Sequence, residues 1–189
     1  ILSKATRIIA EGEVLQLSKV RDASTSEETY MDVIRGKTAM LFEASSHSAA
    51  VLAGADAEQA EALRVFGDHL GVAFQMMDDL LDYRGDAQAM GKNVGDDLAE
   101  GKPTLPLIHA MREGTPAQAE LVRKAIQQGG SQDLESIRAA VEAAGSLDYT
   151  AQLARHYAEK AIQCLSTLPA STYRDALTEL TRFAVARSI

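Results

Sequence analysis

The stretch FQMMDDLLDY, residues 74–83, sets three aspartates inside a run that otherwise reads as protein interior. Phe74, Met76, Met77, Leu80, Leu81 and Tyr83 favour an apolar environment, whereas Asp78, Asp79 and Asp82 belong to the residue types least often buried without a partner. On a helix, at about 100° per residue, Asp68, Gly71, Gln75, Asp78, Asp79 and Asp82 share roughly 100° of arc. The rest of the circumference from Leu70 to Tyr83 is apolar. A helix on the outside of a bundle shows the opposite proportions, a wide polar side and a narrower apolar one. This helix is therefore expected to be surrounded by protein on most sides, with its narrow polar stripe aimed at a shared cavity.

Working outward, the periodic signal is helical nearly everywhere, and no segment of real length alternates apolar and polar residues as a strand would. Residues 1–17 carry apolar positions at helical spacing. TSEE offers Thr25 and Glu28 as a capping box for a long helix over 26–52. The third helix, which carries the aspartates, is expected over 57–83. The stretch from Arg84 to Pro106 holds four glycines and two prolines and reads as a long loop, with Pro103 placed where the next helix can begin. Further helices are expected over 116–127, 133–144, 147–168 and 171–187. The predicted fold is all-α, a helical bundle forming a single domain over 1–189.

The composition, 46% hydrophobic and 24% charged, is that of a globular protein. A net charge of −8 argues against a sequence-independent grip on nucleic acid or anionic lipid, both of which need a basic face. No apolar run has the length of a transmembrane segment and no secretory leader is visible, so a cytoplasmic location is expected. The single cysteine, Cys164, excludes an internal disulfide and reads as a small buried apolar residue. The chain opens at Ile1 in the middle of a helical pattern with no capping residue ahead of it, which suggests a truncated or processed chain.

Three carboxylates on one stripe repel one another unless a cation joins them or some protonate. No histidine or cysteine lies on the stripe, His69 falling on the far side as a packing residue. Oxygen-only donors select hard cations, and magnesium held by a few carboxylates and completed by substrate phosphates fits the spacing. A solvated acidic face is the plainer alternative. Lys37 sits amid the apolar residues of VIRGKTAMLF, where it either snorkels or reaches the same cavity. Lys92 and Lys102 lie in the glycine-rich loop that follows the carboxylate helix. Together the lysines and carboxylates are the ingredients of a diphosphate site, and the lack of a GxxxxGK[ST] pattern disfavours a nucleotide hydrolase or kinase.

FQMMDDLLDY resembles the second aspartate-rich motif of the trans-polyprenyl diphosphate synthases, GKTAMLFEASS their Lys-Thr helix, and GKNVGDDLAEGKPTLPLI their lysine loop. IAEGEVLQL and RDALTELTRFAVARS look like the same family, so the match runs in order along the whole chain. The lysine loop is most similar to that of bacterial long-chain members, which implies an octaprenyl product for a quinone side chain. The resemblance implies that Asp78, Asp79 and Asp82 hold Mg2+ against the diphosphate of an allylic substrate such as farnesyl diphosphate. It implies that Lys37, Lys92 and Lys102 bind that diphosphate, and that Thr38 and Gln75 face the carbocation left by ionisation. Isopentenyl diphosphate would be the second substrate and a homodimer the assembly. Glu13 and Gln16 read either as facing the same cavity or as helix-surface residues.

One departure stands out. The family carries a first aspartate-rich motif upstream, whereas this chain holds one DDxxD and resembles about the C-terminal three-fifths of a synthase. Asp96 and Asp97 do not replace the missing motif and are expected to cap a loop or face solvent. Little or no turnover is expected of these 189 residues alone. A non-catalytic partner subunit and a class I terpene cyclase share much of this pattern and remain alternatives.

Overall fold

The computed structural model describes residues 1–84, 95–129 and 134–186, and every described element is a helix. In chain order they are α1 (Leu2–Lys19), α2 (Glu27–Ile34), a π-helical segment (Arg35–Ala39), α3 (Met40–Leu52), α4 (Ala57–Arg84), α5 (Asp96–Ala99), α6 (Leu105–Glu113), α7 (Pro116–Gln128), α8 (Leu134–Ala143), α9 (Ser146–Cys164) running into a 3-10 turn (Leu165–Thr167), and α10 (Thr172–Ala186). The all-α expectation holds, and the boundaries fall within a few residues of the periodic pattern. Among the described residues, no helix is long and apolar enough to cross a membrane.

Three local expectations are corrected. The box on Thr25 and Glu28 does not form. Ser26 Oγ instead accepts the backbone N–H of Thr29 at 3.1 Å, and Thr25 turns its hydroxyl to the Asp22 carbonyl at 2.8 Å. The cap has moved by one residue because a buried Thr25 is engaged with the preceding turn. Pro103 does not open a helix: Thr104 takes the cap position with extended backbone, and Pro106 sits in the first turn, where its missing N–H costs nothing. Thr104 supplies no side-chain cap because its hydroxyl lies 3.4 Å from that of buried Tyr83. Finally, Asp96 and Asp97 are not in an irregular loop but form the first turn of α5.

The chain divides into two compact units. The first comprises Ile1–Glu13, Asp32–Gln75 and Leu153–Ser188. One of its apolar clusters gathers Phe66 and Leu70 of α4, Ala161 and Leu165, and Ala184 of α10; a second sets Ala5 of α1 against Met40 and Ala44 of α3. Small residues let backbones touch here. A Cβ built on Gly12 would stand 2.5 Å from the Lys37 nitrogen, and one on Gly71 would stand 2.5 Å from Ala39 Cα. Both glycines are therefore fixed by close approach rather than by turn geometry.

The second unit comprises Val14–Met31 and Met76–Gln152. Its core is built from Tyr83, Leu98, Leu107, Val122, Ile126, Ile137 and Val141, all between 0% and 1% exposed. The α7 helix begins with a capping box, Thr115 and Gln118 satisfying each other's backbone donors. At the other end of this unit, the start of α2 is tied down by side chains. Tyr149 of α9 and Arg112 of α6 donate to the Glu27 carboxylate at 2.7 and 2.9 Å.

Candidate active site

Helix α4 behaves as its composition demands. From Ala62 to Tyr83 no residue is exposed, which no helix on the outside of a bundle would show. On the polar stripe, Asp68, Gln75, Asp79 and Asp82 each have a polar partner.

In the first unit the decisive local feature is the π segment. RGKTA winds with i→i+5 hydrogen bonds between two stretches of ordinary helix, where the apolar pattern suggests one unbroken helix. Such bulges cluster at functional sites because they re-aim side chains without breaking the helix. Here the two re-aimed residues are Lys37 and Thr38. Lys37 Nζ lies 3.1 Å from a Glu13 carboxylate oxygen, with both side chains partly exposed. Thr38 donates its hydroxyl to Gln75 Oε1 at 2.8 Å, joining the π segment to the stripe of α4. The next stripe residue toward the N-terminus, Gly71, lines no cavity: it is buried against Ala39. Asp68, at the far end, lies 3.9 Å from Arg35 Nε and 3.3 Å from His69 Nδ1. His69 packs edge-on against Tyr157, as its packing role requires.

In the second unit the three aspartates have different surroundings. Asp79 is 3% exposed and accepts a 2.6 Å hydrogen bond from the hydroxyl of Tyr30, itself 4% exposed. Asp78 and Asp82 are half-buried. Asp82 accepts the Asp97 backbone N–H at 3.2 Å. Its carboxyl is pushed up to about 6, chiefly by burial and then by the neighbouring Asp97 carboxylate. Lys102 closes the chain of contacts, 2.9 Å from Asp97 and 2.7 Å from Glu100. Burial alone would lower this ammonium, but its bonds to Glu100 and Asp97 outweigh burial and hold it above the ordinary lysine value. Asp82 and Lys102 are thus brought together through Asp97. Lys92 lies outside the described residues.

Two participants escaped sequence reasoning. Tyr30 sits on the apolar side of α2 and reads as core, yet a buried phenol needs a partner for its hydroxyl. Asp97 reads as a loop carboxylate, and only the α5 turn sets its N–H against Asp82 and its side chain against Lys102.

Among the described residues, no three His, Cys, Asp or Glu side chains are gathered closely enough to hold a metal ion between them. The donor chemistry nevertheless fits a hard divalent cation. Asp78 and Asp82 are half-buried and offer carboxylate oxygens alone, the donor type that hard cations take.

The family model for polyprenyl synthetase matches residues 1–144. Octaprenyl diphosphate synthase of Escherichia coli is 52% identical over 99% of this chain, and the all-trans-nonaprenyl-diphosphate synthase of Rhodobacter capsulatus is 50% identical over 98%. Among solved structures, polyprenyl synthase from Caulobacter crescentus, complexed with calcium and isoprenyl diphosphate, superposes with a TM-score of 0.93 at 46% identity over the whole chain. The chain spans 58% of the length of the Escherichia coli and Caulobacter proteins and 57% of the Rhodobacter one. A buried DDxxD helix, a Lys-Thr pair on a π segment bound to that helix, and half-identity along the whole chain lead to one placement: the chain belongs to the polyprenyl synthetase family.

Proposed function

We propose that the protein of which these residues form part is a magnesium-dependent trans-polyprenyl diphosphate synthase that extends an allylic diphosphate with isopentenyl diphosphate. Its proposed product is octaprenyl diphosphate, the precursor of a quinone side chain, in keeping with the names of the Escherichia coli and Haemophilus influenzae relatives, while the Rhodobacter relative at 50% identity is named for a nonaprenyl product. The observation that carries the reading is the 2.8 Å bond from Thr38 to Gln75, because it joins the Lys-Thr segment to the helix that carries Asp78 three residues later.

In this reading Asp78 and Asp82 are the carboxylates that meet magnesium, while Asp79, 3% exposed and bonded to the Tyr30 hydroxyl, holds that turn of α4 in place. When bound, the metal supplies positive charge to the departing diphosphate. Lys37, Lys92 and Lys102 donate ammonium protons to the same phosphate oxygens. The allylic C–O bond breaks with its electron pair going to diphosphate, and an allylic carbocation remains. Thr38 and Gln75 present oxygen dipoles toward it, fixed in place by their mutual hydrogen bond. The double bond of isopentenyl diphosphate then forms the new C–C bond, and the proton it loses passes to the released diphosphate. No protein nucleophile is required. Calcium with an isoprenyl diphosphate in the Caulobacter protein supports a divalent metal beside such a substrate. A homodimer in the cytoplasm is the proposed assembly and location.

The test is elongation of farnesyl diphosphate by the full-length protein, with products measured by mass spectrometry. Octaprenyl diphosphate is expected with magnesium and none with chelator; products in the presence of chelator would overturn the metal assignment. The 189 residues alone contain one DDxxD and are expected to give no elongation.

A further inference from the structure

In the first unit, α1 and the π segment meet backbone to backbone. Gly12 is buried, and a Cβ there would stand 2.5 Å from the Lys37 nitrogen and 2.7 Å from the Gly36 carbonyl carbon; a Cβ on Gly36 would stand 3.2 Å from Gly12 Cα. Two glycines in register thus bring the chain at residue 13 as near to residue 37 as two backbones allow. The residue placed there is Glu13, whose Oε2 lies 3.1 Å and Oε1 3.5 Å from Lys37 Nζ. The pair is 47% exposed on the glutamate side and 33% on the lysine side, so solvent and salt keep it weak. A weak pair on a fixed spacing is suited to being opened by a stronger anion.

We propose that Glu13 is a positioning residue that competes with diphosphate for the Lys37 ammonium, holding the lysine when no phosphate is bound and limiting how tightly diphosphate is retained. This inference rests on the reading of Lys37 as a diphosphate-binding lysine. Diphosphate, with more charge and more acceptor oxygens than one carboxylate, displaces Glu13. When diphosphate leaves, Glu13 takes the ammonium back. The carboxylate therefore favours release of the inorganic product at a modest cost in affinity.

The experiment is calorimetric titration of the full-length protein with inorganic diphosphate at saturating magnesium, for wild type, Glu13→Gln, Lys37→Met and the double variant. Both side chains are partly exposed, so the variants are expected to fold, with circular dichroism as the check. Glu13→Gln is expected to tighten binding about two- to fivefold, the range of an exposed ion pair. Lys37→Met is expected to weaken it, and on that background Glu13→Gln is expected to have no further effect. Unchanged or weaker binding by Glu13→Gln, with Lys37→Met still weakened, overturns the inference and leaves the proposed function standing. Equal tightening on both backgrounds also overturns it, since the glutamate would then act by direct repulsion and not through the lysine. If Lys37→Met binds as wild type, or if wild type takes up no diphosphate, the reading of Lys37 falls and the inference with it.

Discussion

Asp79 is the residue whose surroundings say most about the opening motif. Three aspartates on one helix look equivalent in the sequence, but Asp79 is sealed against the Tyr30 hydroxyl while Asp78 and Asp82 keep partial access to solvent. Replacing Tyr30 by Phe removes one hydrogen bond to a buried carboxylate, which costs about 1–3 kcal/mol. Urea denaturation is expected to show that loss, with a smaller one for Asp79→Asn, whose amide oxygen can still accept. His109 contributes one part of the pH dependence. It is 8% exposed, bonded to Ser146 at 2.9 Å and stacked on Tyr149 at 4.2 Å; burial first, and then Arg112, holds its proton affinity below the ordinary imidazole value. The unfolded chain therefore takes up a proton that the folded one resists. The contribution of this group is complete above about pH 6.5 and is lost as pH falls below it. Asp82, pushed up to about 6, acts in the opposite sense over the same range, so the measurement is a difference: between pH 7 and 5 the thermal midpoint of wild type is expected to fall relative to that of His109→Gln. None of these pairings is legible in the sequence, because each joins residues far apart in the chain and depends on which turn faces which.

At the scale of elements, the carboxylate helix was the most legible feature: its inverted polar and apolar proportions implied burial, and α4 carries no exposed residue from Ala62 to Tyr83. The π segment was not legible, since RGKTA fits an ordinary helix as well as its neighbours do. Its close neighbours lie elsewhere in the chain, Gly12 against Lys37 and Gly71 against Ala39. Gly71→Ala tests the second of these contacts. Its methyl would meet Ala39 Cα at 2.5 Å, so α4 must move away from the π segment. A loss of about 1–3 kcal/mol is expected from denaturant unfolding, as for other overpacked cores. Cap positions were misplaced by one or two residues for a related reason: Thr25 and Thr104 have hydroxyls suited to capping, but each is taken by another partner, the Asp22 carbonyl and Tyr83.

For the whole molecule, helical periodicity sufficed to give the fold class, and the order of motifs sufficed to give the family, because both are local in sequence. The division into two compact units was not visible, since α1 and α4 each contribute residues to both and no linker composition marks the change. Ligand binding offers a measurement on the whole chain. If magnesium and inorganic diphosphate bind only the folded form, a hundredfold excess over the dissociation constant adds about 2.7 kcal/mol of stability. That corresponds to an unfolding midpoint roughly 5–10 °C higher for a chain of this size. Differential scanning fluorimetry is expected to show the rise with both components present and its loss on adding chelator.

The backbone contact between Gly12 and Gly36 has one more consequence. A side chain can adjust its reach by changing rotamer, but two main chains in contact cannot come closer, and they separate only if a helix shifts as a body. The contact works as a mechanical stop for the segment that carries Lys37, so the distance of its backbone from α1 is set by geometry that core substitutions elsewhere do not readily retune. Variation that preserves the two glycines leaves the stop in place, and variation at either one moves the lysine before it changes any charge.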